Sequence, residues 1–353
     1  MKKFKLVYSS NKEEFEKEVE KYLNEGYEIN GNVSKSENGY IITLIKKEKI
    51  EIPIEESKIS SKKEILFSTK LVNEKQVEIQ EGKLVSFDEN PFYKNIVGLR
   101  KPFLKYEYSI DETKIINNYR KNPLLFFNSL YITTYNDLSR IKLRDYQEEI
   151  LKNYFDYKYN INMMSRQLGS SLINSLISLY EACINGKKII ILCNTKSECF
   201  DIIEKIENLY KNLPFYIKPG ILNMNRTHMI FDNAGEINTY VYAKYFNIGK
   251  KIDVCIFSDF AHSQFSENIY TNLYPTLSSE NGKIIINSSP NGNNFFYKLF
   301  QNAERLENDP LKTNFKANRY YWFQVPRSKE WMYNLIDMIG KDKFNMEYNL
   351  QII

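Results

Sequence analysis

Only four cysteines and two histidines occur in the 353 residues. Cys183, Cys193, Cys199 and Cys255 fall in or near apolar runs and form no CxxC pair, so they read as small buried hydrophobes of a reducing compartment. His228 and His262 do not have the spacing of a zinc site. No apolar stretch reaches the roughly 18 residues that a membrane helix needs. Met1-Lys2-Lys3 leads into a short alternating strand rather than the apolar core of a signal peptide, so a cytosolic protein is expected. A dominant charge is lacking too. The formal net charge of +5 permits nucleic-acid binding without pointing to it. Lys outnumbers Arg, and Ile, Asn and Tyr are abundant, the imprint of an AT-rich genome rather than of a function.

One further absence sits inside a motif. Residues 161–171 read Ile-Asn-Met-Met-Ser165-Arg166-Gln167-Leu168-Gly169-Ser170-Ser171 and precede an apolar helical run. In a phosphate-binding loop the backbone N–H groups of such a turn cradle phosphates at a helix N-terminus. A Lys reaches the β- and γ-phosphates, and a Ser or Thr hydroxyl holds Mg²⁺. Gly169 and Ser171 keep the turn and the hydroxyl, but the lysine position is Ser170.

The chain is long enough for two domains and a full hydrophobic core. Residues 1–50 read as a small α/β module. Phe4, Leu6 and Tyr8 alternate as in a half-buried strand, and Ser10 with Glu13 forms a capping box. Phe15, Val19, Tyr22 and Leu23 line a helix that Gly26 ends, and residues 40–45 offer a second strand after Asn38-Gly39. Residues 51–114 read as a charged linker with short strands, one of them at 64–69. Residues 115–353 form the second domain, with Asn122-Pro123 opening a helix. Residues 188–193, 252–257 and 283–286 are continuous apolar runs, as in strands buried on both faces, and an amphipathic helix spans 199–209. Alternating strands and helices imply a mainly parallel sheet with helices on both faces, and ligand sites at the strands' carboxyl ends.

Four blocks follow one another in this domain. Leu143-Arg144-Asp145-Tyr146-Gln147 opens a helix, and alone would be a solvated helix start. Ser165-Arg166-Gln167-Leu168-Gly169 is the loop. Val254-Cys255-Ile256-Phe257-Ser258-Asp259-Phe260-Ala261 is a buried strand running into an acidic residue. Asn287-Ser288-Ser289-Pro290-Asn291-Gly292 follows the last apolar run, and its Pro-Asn-Gly alone would be a turn.

Together, over residues 118–350, these blocks resemble the ATPase motor domain of tailed-phage large terminases of the T4 type. The resemblance implies a P-loop NTPase-like α/β fold and a nucleotide site for ATP and Mg²⁺. It assigns Arg144, Tyr146 and Gln147 to the adenine, and Ser165, Arg166, Gln167, Gly169, Ser170 and Ser171 to the phosphates. It makes Ser258 and Asp259 the Walker B pair, with Ser171 and Ser258 on the metal and Asp259 and Arg166 as catalytic candidates. Ser288, Ser289, Pro290, Asn291 and Gly292 become the coupling motif that senses the γ-phosphate. Segment 213–221, also familiar from the family, reads as structural. Residues 1–50 resemble a small domain of unknown function from bacterial and phage proteins, with its Glu-Gly-Tyr turn at 25–27.

The departures concern charge. A Walker B strand ends in Asp-Glu, for the Mg²⁺ shell and the attacking water. Here one carboxylate is missing in either register, since Asp259 is flanked by Ser258 and Phe260. The family's Arg-Gly pair before this strand is Ile248-Gly249, which leaves Arg166 as the main cation. Losing one preorganised donor costs about 10²–10³ in rate, so hydrolysis at a motor's rate is not expected. The chain ends soon after residue 348, where a large terminase continues into its nuclease, so DNA cleavage is not expected either. The implied partners are the phage portal, other terminase subunits and double-stranded DNA, with a homo-oligomeric ring, no membrane, and the host cytoplasm as location. Three readings follow: a pseudo-ATPase scaffold, which the missing charges favour; a diverged packaging ATPase whose nuclease is a separate chain; and an unrelated α/β binding protein.

Overall fold

The computed structural model describes residues 81–85, 90–134, 137–246, 251–279 and 282–352, the strands of the first 47 residues, and three helical residues at 17, 20 and 21. The chain divides into two compact units, Met1–Leu66 and Phe67–Ile353. In the first, strand Lys2–Ser9 pairs antiparallel with Gly39–Lys47, setting Phe4 opposite Ile45 and Leu6 opposite Thr43. Glu28–Ile29 and Ser34–Ser36 also pair with Gly39–Lys47. The expected capping box at Ser10 and Glu13, the turn at 25–27 and the strand at 64–69 lie outside the described residues.

The second unit starts at Phe67, upstream of the expected 115. Leu99 is fully buried in its core. Arg100 is buried beside it and donates to the carbonyl oxygens of Lys218 at 2.8 Å, Leu104 at 3.0 Å and Phe215 at 3.3 Å. A charge pattern cannot show this, because an Arg surrounded by carbonyl oxygens reads in sequence like one in water. The segment 213–221 is thereby structural, a platform for residues 98–104.

The eight strands of the main sheet are β1 Tyr159–Met164, β2 Lys188–Cys193, β3 Ile221–Met224, β4 His228–Phe231, β5 Glu236–Val241, β6 Val254–Ser258, β7 Lys283–Ser288 and β8 Phe315–Tyr320. Their order in the sheet is β3-β4-β5-β2-β6-β7-β1-β8. From β5 to β8 all neighbours are parallel; β4 pairs antiparallel with both β3 and β5 at one edge. The helices are α1 Ile110–Lys121, α2 Pro123–Asn128, α3 Asp145–Asp156, α4 Ser170–Cys183, α5 Lys196–Lys211, α6 Ser266–Ser279, α7 Phe295–Glu304, α8 Lys329–Ile339 and α9 Lys341–Glu347.

Side chains alternate across each strand, so the sheet feeds two cores. Ile189, Ile191, Ile256 and Ile285 pack on one face with Leu176 and Ile177 of α4 and Ile203 and Ile206 of α5. Ile190, Leu192, Phe257, Ile284 and Ile286 pack on the other with Phe296 and Phe300 of α7. Every residue of β6 is buried, as its apolar run requires. This is the expected α/β architecture of a mainly parallel sheet between helices.

One polar feature crosses this core. Asn318, Asn162 and Asn287 stand in register on β8, β1 and β7. Asn318 Nδ2 donates to Asn162 Oδ1 at 3.0 Å, Asn162 Nδ2 to Asn287 Oδ1 at 2.8 Å, and Asn287 Nδ2 to Asn174 Oδ1 on α4 at 2.7 Å. The bonds run in one direction along the ladder, which makes three buried polar side chains tolerable here and leaves Asn174 Nδ2 at its end without a partner. The ladder ties α4 to β1 and β7, the strands that carry the loop and the 287–292 turn at their ends. Asn287→Ala strands Asn162 Nδ2 and Asn174 Oδ1, each orphan costing about 1–3 kcal/mol. Urea denaturation is expected to show a loss of at least about 2 kcal/mol; an unchanged midpoint would mean the ladder contributes nothing.

Candidate functional site

The carboxyl ends of β1, β6, β7 and β8 meet on one edge of the sheet, and the four sequence blocks converge there. The loop begins where β1 ends. Gln167 and Gly169 take left-handed backbone, with φ of 64° and 81°, and Gly169 is the N-cap of α4. Only glycine takes that conformation at no steric cost, and a Cβ at 169 would stand 3.0 Å from Gln147 Nε2. Among the described residues, the backbone N–H groups of Gln167, Leu168, Gly169, Ser170 and Ser171 have no protein acceptor. Five consecutive donors at the positive end of a helix form an anion cradle. The first two loop amides differ: Ser165 N donates to Tyr320 O at 2.9 Å, and Arg166 N to Glu347 O at 3.1 Å.

The Arg144–Gln147 block braces this loop from behind. Tyr146 and Gln147 are buried, and the Tyr146 hydroxyl and Gln147 Nε2 both donate to Leu168 O, at 2.8 and 3.2 Å. Gln147 Oε1 accepts from Arg144 N at 3.1 Å. Both ends of the Gln147 amide are thus engaged within the protein, so the adenine-reading role implied by the resemblance is not free to it here. Burial pushes the Tyr146 phenol up, against the nearby Arg144. Arg144 itself is exposed, with its side chain beside the Tyr146 hydroxyl.

Met164, Ser165, Arg166, Gln167, Ser170, Asp259, Ser288 and Ser289 line a cavity of about 80 Å³. At about 30 Å³ per water it holds one small anion or two to three waters. Asp259 is left-handed, with φ of 45°, a strained non-glycine residue at the site edge. Burial raises its carboxyl pKa, opposed by Arg166 and reinforced by Glu347. Arg166 lies 3.6 Å from Asp259 Oδ2 through Nη1 and 3.7 Å from Glu347 Oε2 through Nε, a loose arrangement rather than a bidentate pair. Phe260, at the alternative base position, is fully buried and unavailable.

The coupling block is tied to the end of β6. Ser288 Oγ accepts from Ala261 N at 2.9 Å, and Ser289 Oγ meets His262 Nε2 at 2.8 Å. Burial and Arg166 lower the His262 pKa, which keeps the ring neutral. Pro290 is buried, Asn291 Nδ2 donates to Ala261 O at 3.3 Å, and Gly292 turns with φ of 69° into open space.

Two expected metal ligands have other partners. The Ser258 hydroxyl donates to Glu198 Oε1 at 2.8 Å, and the Ser171 hydroxyl accepts from Lys205 Nζ at 2.6 Å. Ser171 does not line the cavity, and an ammonium on its oxygen opposes a dication at the same atom. Among the described residues no group of three His, Cys, Asp or Glu side chains could hold a metal ion. Ser171 and Ser258 therefore do not fit Mg²⁺ in this arrangement.

Glu198 and Lys205 were not singled out in the sequence. They lie seven residues apart on α5, hence on one helical face. Burial raises the Glu198 carboxyl pKa and lowers that of the Lys205 ammonium. Also missed was Arg327, which donates from Nη2 to Gln167 O at 3.1 Å and lies 4.1 Å from the Trp331 ring.

No family model matches the chain. The large terminase of bacteriophage HK97 is similar in structure, with a TM-score of 0.54 at 14% identity over 66% of this chain and 55% of that protein. Over that span the fold is that of a phage large terminase. Two structures of the large-terminase ATPase domain of Thermus phage P74-26 are also matched. Their TM-scores are 0.48 and 0.45, with 22% and 20% identity over 60% of this chain and 95% and 100% of theirs.

Gly169→Ala forces a side chain into left-handed backbone against Gln147, at a cost of about 1–2 kcal/mol. A drop in melting temperature is expected, with Gln147→Ala in the same chain relieving only the steric part. An unchanged melting temperature in Gly169→Ala would show that the loop is not held as described.

Proposed function

We propose that the second unit is a terminase-like nucleotide-binding domain serving viral DNA packaging, which holds the phosphates of an adenine nucleotide in the 165–171 loop and hydrolyses it slowly. The observation that carries this reading is the row of five unaccepted N–H groups from Gln167 to Ser171, bent by two left-handed residues at the N-terminus of a buried helix. A row of donors without protein acceptors at the positive end of a helix favours an anion there. The HK97-like fold supports the packaging setting.

The residues present can bind and orient. Loop amides would take a phosphate, Arg166 would add charge from the cavity wall, and the Tyr146–Gln147 brace would hold the loop still. Ser288 and Ser289 reach the same cavity, so the turn at 287–292 is positioned to feel whether it is filled. Proton abstraction from water is poorly provided for. Asp259 is the one carboxylate lining the cavity, and Arg166 stands beside it. Slow turnover follows from that and from the absence of lysine at 170. The portal, other terminase subunits and double-stranded DNA are the proposed partners, in a homo-oligomeric ring.

A scaffold that no longer binds nucleotide is the second reading. It is favoured by the two loop amides bonded to Tyr320 and Glu347 and by the small cavity. Equilibrium binding of a fluorescent ADP analogue separates the two. Saturable binding that unlabelled ADP competes away is expected, weakened in Arg166→Met without a matching loss of stability, since a half-exposed ion pair contributes only about 0–1 kcal/mol. No binding in the unaltered chain would leave the scaffold.

A further inference from the structure

We propose that Lys205 supplies the phosphate-site cation of this chain, in place of both the missing loop lysine and a divalent metal. The inference rests on the nucleotide-binding reading above and names the group that completes it.

The loop carries no ammonium of its own, because Ser170 stands where the lysine would be. Lys205 reaches the loop helix from α5 instead, and its Nζ lies 2.6 Å from Ser171 Oγ. Ser171 is the second residue of α4, and its N–H is one of the five without an acceptor. The ammonium therefore stands one hydrogen bond from the leading turn of α4, beside the cavity rather than in its lining, on the hydroxyl at the position of the family's metal ligand.

Without a ligand, this placement is unfavourable. A cation at a helix N-terminus meets the positive end of the macrodipole, which favours anions there and cations at the other end. Lys205 is half-buried, and among the described residues it forms no ion pair; its side-chain hydrogen bond goes to a neutral hydroxyl. Asp201, four residues earlier on α5, is the acidic group that bears on it electrostatically. A half-desolvated cation and five bare donors at one helix end are mutually repulsive. An anion of phosphate type between them resolves every one of those contacts.

A purely structural role, holding Ser171 in place, needs a hydrogen bond but no charge. Lys205→Gln keeps a donor and removes the charge, so the two roles part. In the unaltered chain, ADP affinity is expected to be the same in EDTA as in Mg²⁺, since the cation is built in. Lys205→Gln is expected to weaken ADP about ten- to a hundredfold, the range for loss of a charge-assisted hydrogen bond. Lys205→Arg keeps most of the affinity. Lys205→Gln with Ser170→Lys recovers it, because the charge returns to the loop from another position.

The same titrations are run with a thermal melt of each variant, so that misfolding is seen as such, and the uncharged Lys205→Met stands in if the Gln variant does not fold. ADP bound equally by the unaltered chain and Lys205→Gln overturns this proposal and leaves nucleotide binding standing. Binding that requires Mg²⁺ in the unaltered chain also overturns it. Absence of ADP binding in every variant overturns the nucleotide reading itself, and this one with it.

Discussion

The fixed N-terminus of α4 is the constraint on which the site depends. From Ile173 to Cys183 every residue of the helix is buried, so its axis is held and its leading amides stay at the carboxyl edge of the sheet. Ser175 and Ser178 are tolerated inside because their hydroxyls donate to Ser171 O and Asn174 O, one turn back. Asn174 joins the asparagine ladder to β7 and β1. The helix is thus fixed on its sides while its leading end keeps five bare donors. Everything else at that edge of the sheet is arranged around this end: the Tyr146–Gln147 brace behind it, Arg166 and Asp259 beside it, and Lys205 above Ser171.

Much of this was legible in the sequence. The continuous apolar runs at 188–193 and 283–286 could be strands only if both faces were covered, and the parallel sheet follows from that. The string Ser165–Gly169 between a strand and a helix marked the loop, and the order of the four blocks placed them at one edge. What a linear reading could not supply was partner identity. Gln147 reads as a ligand-facing amide, but a loop carbonyl reaches it first. Ser171 and Ser258 read as open hydroxyls until α5 brings Lys205 and Glu198 against them. The spacing of those two residues shows that they share a helical face; only the packing of α5 beside α4 and β6 shows what the face meets. Leu99 and Arg100 were similarly hidden inside a charged stretch.

Charged groups also reach this edge of the sheet from α5. The loop has serine at 170 and β6 ends in Ser258, and α5 sets Lys205 against Ser171 and Glu198 against Ser258. The two cases differ in consequence. An ammonium acts on an anion through space and tolerates a changed origin. A carboxylate that must take a proton from one water requires placement, and Glu198 is engaged with Ser258 Oγ and Asn194 N instead. Binding can survive such a rearrangement more readily than hydrolysis can.

The most direct test of the account is amide hydrogen exchange of the 165–171 loop with and without ADP. Bare N–H groups at a fixed helix end exchange fast, and a phosphate seated on them would slow them together. Slowed exchange from Gln167 to Ser171 on adding ADP, with little change in the β3–β4 hairpin, is the predicted result. Exchange at those five positions that does not respond to ADP would contradict the claim that this helix end is a phosphate site.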